Sequence, residues 1–364
     1  MLLNLVITIY YSFFFRGNRQ LYSILAESGN TSNFSTLNES DAVSLGSFEK
    51  TTAPKQQQNK STALNPWFVT GFVDAEGSFT MSIFKSKTAA IGWTIEPCFI
   101  ITLHKKDIEL LNKIQSFFGV GTVYTVGNKE ARYRVRSRLG LNVIISHFNR
   151  YSLQTTKAIH FSMFCRILNL INDRHHASAE GFLKLVSLIN KLNNPLSQSL
   201  LDKLAPLGIL PDVDVELSSR ESSFINQDLD PWWISGFTTG EGSFTYFTRN
   251  RKKANGEIVK DYTLAYEVGQ RSDSIHVLDL IAKTLECGKV YSETRGISKY
   301  RLVTRDQILS ILVPFFAKYP LQGNKYLQYK LWAQIVEVLQ TTGRSEQRDV
   351  KTEELIKELS KLNK

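Results

Sequence analysis

Two carboxylates at matched positions are the natural starting point for chemistry. Glu76 lies in the segment NPWFVTGFVDAEGSFT (residues 65–80) and Glu241 in DPWWISGFTTGEGSFT (residues 230–245), an offset of 165. Each segment opens on a helix N-cap residue, Asn65 or Asp230, with proline at the first helical position. Gly77 and Gly242 then end the two short helices. A further glycine sits inside each helix, Gly71 or Gly236, where it costs about 1 kcal/mol against alanine. Close approach of two helix backbones would offset that cost. Such packing brings Glu76 and Glu241 together at the C-terminal ends of their helices. There each carboxylate meets the negative pole of its own helix and a second carboxylate, so both resist ionisation unless a cation neutralises them. A hard, oxygen-ligated ion, Mg²⁺ or Mn²⁺, suits that donor pair. The arrangement therefore predicts a metal between the two halves, used for phosphodiester chemistry.

The remaining sequence predicts what positions those groups. Gly121-Thr-Val-Tyr124 matches Gly288-Lys-Val-Tyr291, and Tyr133-Arg134 matches Tyr300-Arg301, both at an offset of 167; residues 150–157 match 318–325 at 168. An offset that drifts so little identifies one duplicated ancestral unit. Each unit reads α-β-β-α-β-β-α. In the first strand Phe79, Met81 and Ile83 point one way and Ser78, Thr80 and Ser82 the other. Helical periodicity returns at residues 107–118 and 274–285, and a longer helix starts near Thr155, with its counterpart near Asn324. The fold class is therefore α+β, two tandem pseudo-symmetric units spanning residues 65–173 and 230–340. Residues 174–229 join them without a repeat partner. Residues 341–364 form a charged helical tail, with Leu355, Leu359 and Leu362 at helical spacing. Residues 1–64 form an apolar leader followed by a polar linker rich in Ser, Thr, Asn and Gln, a composition that cannot bury a core. The apolar run from Met1 to Phe15 is too short to span a bilayer and precedes its charges, Arg16 and Arg19, so no stable membrane association is expected.

Composition narrows the partner. Of 364 residues, 44 are Lys or Arg and 34 Asp or Glu, a net charge of +10; a basic excess on a folded chain favours a polyanion, nucleic acid before membrane. The three cysteines, Cys98, Cys165 and Cys287, are far apart, which excludes a disulfide scaffold and a paired-cysteine zinc site. On a strand over residues 131–138, Arg132, Arg134, Arg136 and Arg138 would share one face. Four like charges in a row must meet solvent or a polyanion. Lys299, Arg301 and Arg305 repeat part of the pattern, and the loop expected at residues 249–253, with Arg249, Arg251 and Lys252, suits phosphate contacts. A sheet face bearing Ser, Thr, Gln and Arg can lie in the major groove. The DNA-binding candidates thus also include Ser78, Thr80, Ser82, Lys85, Ser243, Thr245, Gln270 and Arg271.

The segments VTGFVDAEG (residues 69–77) and ISGFTTGEG (residues 234–242) resemble the paired signature of the LAGLIDADG homing endonucleases in their single-chain, double-motif form. The resemblance runs from about Asn65 to Leu339 and is closest to enzymes encoded in group I introns of fungal mitochondrial genomes. It implies two αββαββα units forming a β-sheet saddle on double-stranded DNA, a functional monomer with an internal pseudo-dimer, and a mitochondrial location. It implies Mg²⁺-dependent cleavage of both strands of a long asymmetric site with 3′ overhangs, which promotes intron mobility. By position, it assigns the metal to Glu76 and Glu241 with Ala75 and Gly240 beside them, and active-site lysines to Lys157 and Lys325. Gln270 matches a polar position whose first-unit equivalent is Leu103, beside His104, so the two half-sites differ. Thr239 stands where the first motif has Asp74. The alternative function is a maturase that binds its host intron RNA to assist splicing; a DNA-binding protein without catalysis is a third class.

Overall fold

A computed structural model describes residues 63–192, 195–213, 228–293 and 296–362. The leader and most of the polar linker expected at the N-terminus, and residues 193–194 and 214–227 of the segment expected to join the units, lie outside these residues.

Asn65 accepts the Trp67 N–H at 2.8 Å and Asp230 the Trp232 N–H at 2.8 Å, each capping a helix that begins at proline. These helices are α1 (Pro66–Glu76) and α7 (Pro231–Glu241). Each leads directly into a hairpin, β1 (Gly77–Lys85) with β2 (Trp93–His104), or β5 (Gly242–Lys252) with β6 (Ile258–Arg271). A helix follows, α2 (Ile108–Phe118) or α8 (Ile275–Leu285), then a second hairpin, β3 (Thr122–Val126) with β4 (Glu130–Val135), or β7 (Lys289–Ser292) with β8 (Ile297–Leu302). The two sheets have the same antiparallel order, β1-β2-β4-β3 and β5-β6-β8-β7. The α+β class and the duplicated arrangement of strands follow the sequence pattern.

The cores repeat as the sequence does. Phe79 packs against Phe99, Phe148, Phe161 and Phe164 with ring centroids 5.2–5.7 Å apart. Phe244, its repeat partner, packs against Tyr266, Phe316, Tyr329 and Trp332 at 5.2–6.3 Å. Both phenylalanines sit on the face of their strand that the alternation of apolar and polar residues turns inward.

Three local features depart from the sequence pattern. Each unit carries one more helix than expected: α3 (Arg138–Arg150) precedes α4 (Lys157–Asn172), and the second unit answers with a helical run through residues 305–318 before α10 (Gly323–Thr341). That run widens to a π-turn at Ile308–Leu312 immediately before α9 (Val313–Lys318), where Pro314 has no N–H to donate. The strand expected to hold all four arginines stops at Val135, because the Ser137 hydroxyl accepts the Gly140 N–H at 3.1 Å and starts α3. The expected loop at residues 249–253 is instead the end of β5, whose pairing continues to Lys252 opposite Ile258 and turns at Gly256 with φ +86°.

Between the repeats, α5 (Ala179–Asn190) and α6 (Gln198–Leu204) bury Phe182, Leu185, Val186, Leu188 and Leu204 in the first core. At the far end α11 (Glu346–Leu362) buries Leu359 in the second core, and Tyr246 meets Ser360 at 3.0 Å.

Candidate active site and nucleic-acid interface

The site begins with two glycines. Gly71 packs on the Trp233 carbonyl and Gly236 on the Phe68 carbonyl, so closely that a Cβ at either position would overlap the facing backbone. Each glycine thus meets the partner helix one turn before the partner's own glycine, as a twofold relation requires. The mid-helix glycines are explained by the backbone approach, and α1 and α7 form the seam between units.

At the C-terminal ends of these helices the acids converge. A Cβ on Gly240 would lie 2.4 Å from the Ala75 Cβ and 3.3 Å from Glu76 Oε1, so this glycine leaves room for the opposing carboxylate. Burial pushes the carboxyls of Glu76 and Glu241 above their ordinary value; the Glu76 charge raises Glu241 further, and Asp107 raises Glu76. The ammonium groups of Lys157 and Lys325 pull both back down, and a hydrogen bond from Gln270 does so for Glu241 alone. Both lysines are themselves held below their usual range by burial, against the pull of the surrounding carboxylates. Lys157 Nζ donates to Val73 O at 2.9 Å and Ala75 O at 3.3 Å, and Lys325 Nζ to Gly242 O at 2.5 Å. Each lysine therefore binds carbonyls at the C-terminal end of a motif helix, where a cation is favoured. A groove of about 530 Å³ opens beside Glu76, lined by Leu103, His104, Lys106, Lys129 and Lys325 among others.

The donor set fits a hard divalent ion. Two carboxylates, with the Glu76 charge raising the proton affinity of Glu241 and a glycine at position 240 leaving space between the helix ends, supply oxygen ligands at one place. Among the described residues no cluster of three or more His, Cys, Asp or Glu side chains offers a competing centre.

Behind this pair lies a group that the motif alone does not reveal. Asp74, 4% exposed, accepts from Gln154 N at 2.8 Å, Thr155 N at 3.2 Å, Thr155 Oγ1 at 2.6 Å and, across the seam, Trp233 Nε1 at 2.9 Å. Four donors satisfy the buried carboxylate and fix the turn that precedes Lys157.

Strand alternation sorts the DNA-binding candidates. Ser78, Thr80, Ser82, Arg132 and Arg134 occupy the outer face of the first sheet, opposite to Phe79, Tyr133 and Val135. Arg134 covers the Tyr124 ring at 5.1 Å, and Arg132 pairs with Glu130 at 3.0 Å. Arg136 lies just past the strand and pairs with Glu96 at 3.1 Å, whereas Arg138 opens α3, so the expected row of four is a row of two. On the second sheet Ser243, Thr245, Arg249, Arg251, Lys299 and Arg301 share the outer face, with Arg271 at the end of β6. Lys85 and Lys252 fall on the opposite parity; Lys85 caps the Trp93 ring at 5.7 Å. Gln270 also leaves the outer face and reaches Glu241. The sequence reading missed the acids of this surface. Asp261 pairs with Arg251 at 2.7 Å, Glu267 with Arg301 at 2.8 Å and Glu293 with Lys299 at 3.0 Å. Strand parity would have placed Asp261 and Glu267 there.

Comparison with known proteins agrees with this geometry. The family model described as LAGLIDADG endonuclease matches residues 69–168 and 234–336. A probable intron-encoded endonuclease 3 of Neurospora crassa is 32% identical over 76% of this chain and 51% of its own length. A probable intron-encoded endonuclease 2 from the same fungus is 30% identical, over 73% and 58%. The chain thus spans about half the length of these curated relatives. Among solved structures, I-SmaMI bound to uncleaved DNA target in the presence of calcium ions superposes with a TM-score of 0.70 at 28% identity, covering 80% of this chain and 97% of that one. I-GzeII in complex with its DNA target gives 0.66 at 27%, covering 80% and 97%. Two copies of the motif, two matching sheets and paired acids at one helical seam carry the same conclusion: this chain belongs to the LAGLIDADG endonuclease family.

Proposed function

We propose that the chain is a site-specific homing endonuclease that hydrolyses both strands of a long, asymmetric double-stranded DNA target, leaves 3′ overhangs and thereby promotes intron mobility. The observation that carries this reading is the convergence of Glu76 and Glu241 at the ends of α1 and α7, each with raised proton affinity and each within the field of Lys157 and Lys325. Two acids and two lysines, one of each per repeat, match a substrate with two strands. The outer faces of both sheets, with Arg132, Arg134, Arg249, Arg251, Lys299 and Arg301, supply the basic surface for the duplex.

Mg²⁺ or Mn²⁺ would be held by Glu76 and Glu241 with the carbonyls of Ala75 and Gly240, and would supply Lewis-acid polarisation of the scissile phosphate. The protein residues do the rest. Lys157 and Lys325 place positive charge where the phosphorane develops negative charge or orient the attacking water, and their burial strengthens the electrostatic effect. Gln270 orients the Glu241 carboxylate. Kinship with intron-encoded fungal proteins, one of them named for an ND4 intron, supports a mitochondrial location.

The test is incubation of the protein with Mg²⁺ and DNA carrying the uninterrupted host-gene junction. EDTA and intron-containing DNA serve as controls, alongside a splicing assay on the intron RNA. Cleavage of the uninterrupted junction alone, lost in Glu76→Gln and Glu241→Gln without loss of DNA binding, is the expected result. Accelerated splicing without cleavage would replace the nuclease reading by the maturase one.

A further inference from the structure

Both active-site lysines stand in the first turn of a helix whose own N-cap residue, Thr156 before α4 or Gln322 before α10, makes no side-chain cap bond. At α4, however, the Thr155 hydroxyl accepts the Lys157 N–H at 3.2 Å. Residues from elsewhere in the fold accept N–H groups at, or just before, each helix start. At α4, Asp74 of the same unit accepts from Gln154 N and Thr155 N, and Ser274 of the other unit accepts from Thr156 N at 3.3 Å. At α10, Thr239 of the same unit accepts from Gln322 N at 3.4 Å, and Asp107 of the other unit accepts from Asn324 N at 2.6 Å.

The repeat alignment pairs Asp74 with Thr239 and Asp107 with Ser274. Each lysine helix is therefore held by one carboxylate and one hydroxyl, in transposed positions. Asp107 and Ser274 are themselves N-cap residues of α2 and α8, yet neither caps its own helix. Both turn across the seam. Gly323, at φ +60°, makes the approach possible, because a Cβ there would lie 2.5 Å from Asp107 Oδ1. A carboxylate at a helix N-terminus holds it more firmly than a hydroxyl does.

We propose that Asp107 is a positioning residue for Lys325. It anchors α10 across the seam with a carboxylate, as Asp74 anchors the turn before α4 from within its own unit, and so compensates for Thr239 in the second motif. The kinetic consequence rests on the nuclease reading above: loss of Asp107 disturbs one of two cutting centres and spares the other.

The experiment compares wild type with D107A, D107N and D107A/T239D under single-turnover conditions, on a duplex whose two strands carry different end labels. DNA affinity in EDTA, melting temperature and amide hydrogen exchange are measured in parallel. D107A is expected to slow one strand about tenfold or more and the other by less than about twofold. Exchange should rise in residues 322–328 but not in 154–160. D107N keeps an oxygen acceptor without the charge, should fall between, and reads out the anchor even where D107A folds poorly. T239D in the D107A background should restore most of the lost rate, by returning a carboxylate to α10 from the position that Asp74 occupies in the first unit. Equal slowing of both strands, unchanged exchange at 322–328, or no recovery with T239D overturns the proposal. A wild type that cuts neither strand overturns the nuclease reading instead, and the exchange comparison then decides the anchor on its own.

Discussion

In the proposed function Glu76 and Glu241 hold the metal, and their electrostatics would set the pH range of cleavage. Burial raises the proton affinity of both, and the charge of Glu76 adds to that of Glu241. Both must be ionised to hold a cation, so single-turnover cleavage should fall, as pH is lowered, at a higher pH than an ordinary glutamate would dictate. Higher Mg²⁺ should move this acid limb downward, because metal and protons compete for the same oxygens. Lys157 and Lys325 are shifted the opposite way by burial, so an alkaline limb from their deprotonation should come earlier than for free lysine, and bound metal, by neutralising the carboxylates that hold their protons, should bring it earlier still. The same shifts act on stability. A carboxyl whose folded value is raised favours folding below the unfolded value and loses that contribution as pH rises through the folded one. At neutral pH without metal the pair therefore destabilises the fold. Glu241→Gln in EDTA should melt above wild type, and Mg²⁺ should stabilise wild type more than the variant. A variant that melts lower in EDTA would show that the two charges are already balanced by the lysines.

Helices α1 and α7 act as one element, because each glycine is the other helix's docking point. Gly236→Ala gains about 1 kcal/mol of helix propensity. It also drives a methyl group into the Phe68 carbonyl, and overpacking of that kind costs about 1–3 kcal/mol and parts the two acid-bearing ends. The expected outcome is a lower denaturant midpoint and slower cleavage with unchanged Mg²⁺ preference; an unchanged midpoint would contradict the close seam. In the strands, charge is shared rather than free. Glu96 neutralises Arg136 just past β4. Replacing Glu96 with glutamine should tighten non-specific DNA binding and steepen its dependence on salt, read from affinities at several ionic strengths. The alternation of arginines was legible in the sequence, but its end was not. Ser137 can continue a polar strand or cap a helix, and only the packing of Leu141, Ile144 and Phe148 into the core selects the cap.

Across the whole molecule, near-symmetry in sequence becomes asymmetry in chemistry. Glu241 is held by Gln270, whereas the equivalent position beside Glu76 is Leu103, which lines the groove. The anchors of the two lysine helices differ as well, with Asp74 facing Thr239 in the alignment. Cutting of the two strands should accordingly be unequal, with nicked circular plasmid accumulating before linear product. Leu103→Gln should shrink that intermediate by bringing the half-sites closer in rate. A time course without a nicked intermediate would mean that the two centres are matched despite their residues.

The duplication, the capped helices, the inward face of the first strand and the matched positions of the two glutamates could be read from the chain alone, because each is written in local spacing: a cap, a period or a repeat. The extra helices, the meeting of Asp74 with Trp233 and the crossing of Asp107 to Asn324 could not. Asp107 reads locally as the cap of its own helix, and its actual partner is 217 positions away. Side chains that satisfy a distant backbone leave no periodic trace, so only the docking of one unit on the other decides which donors they serve.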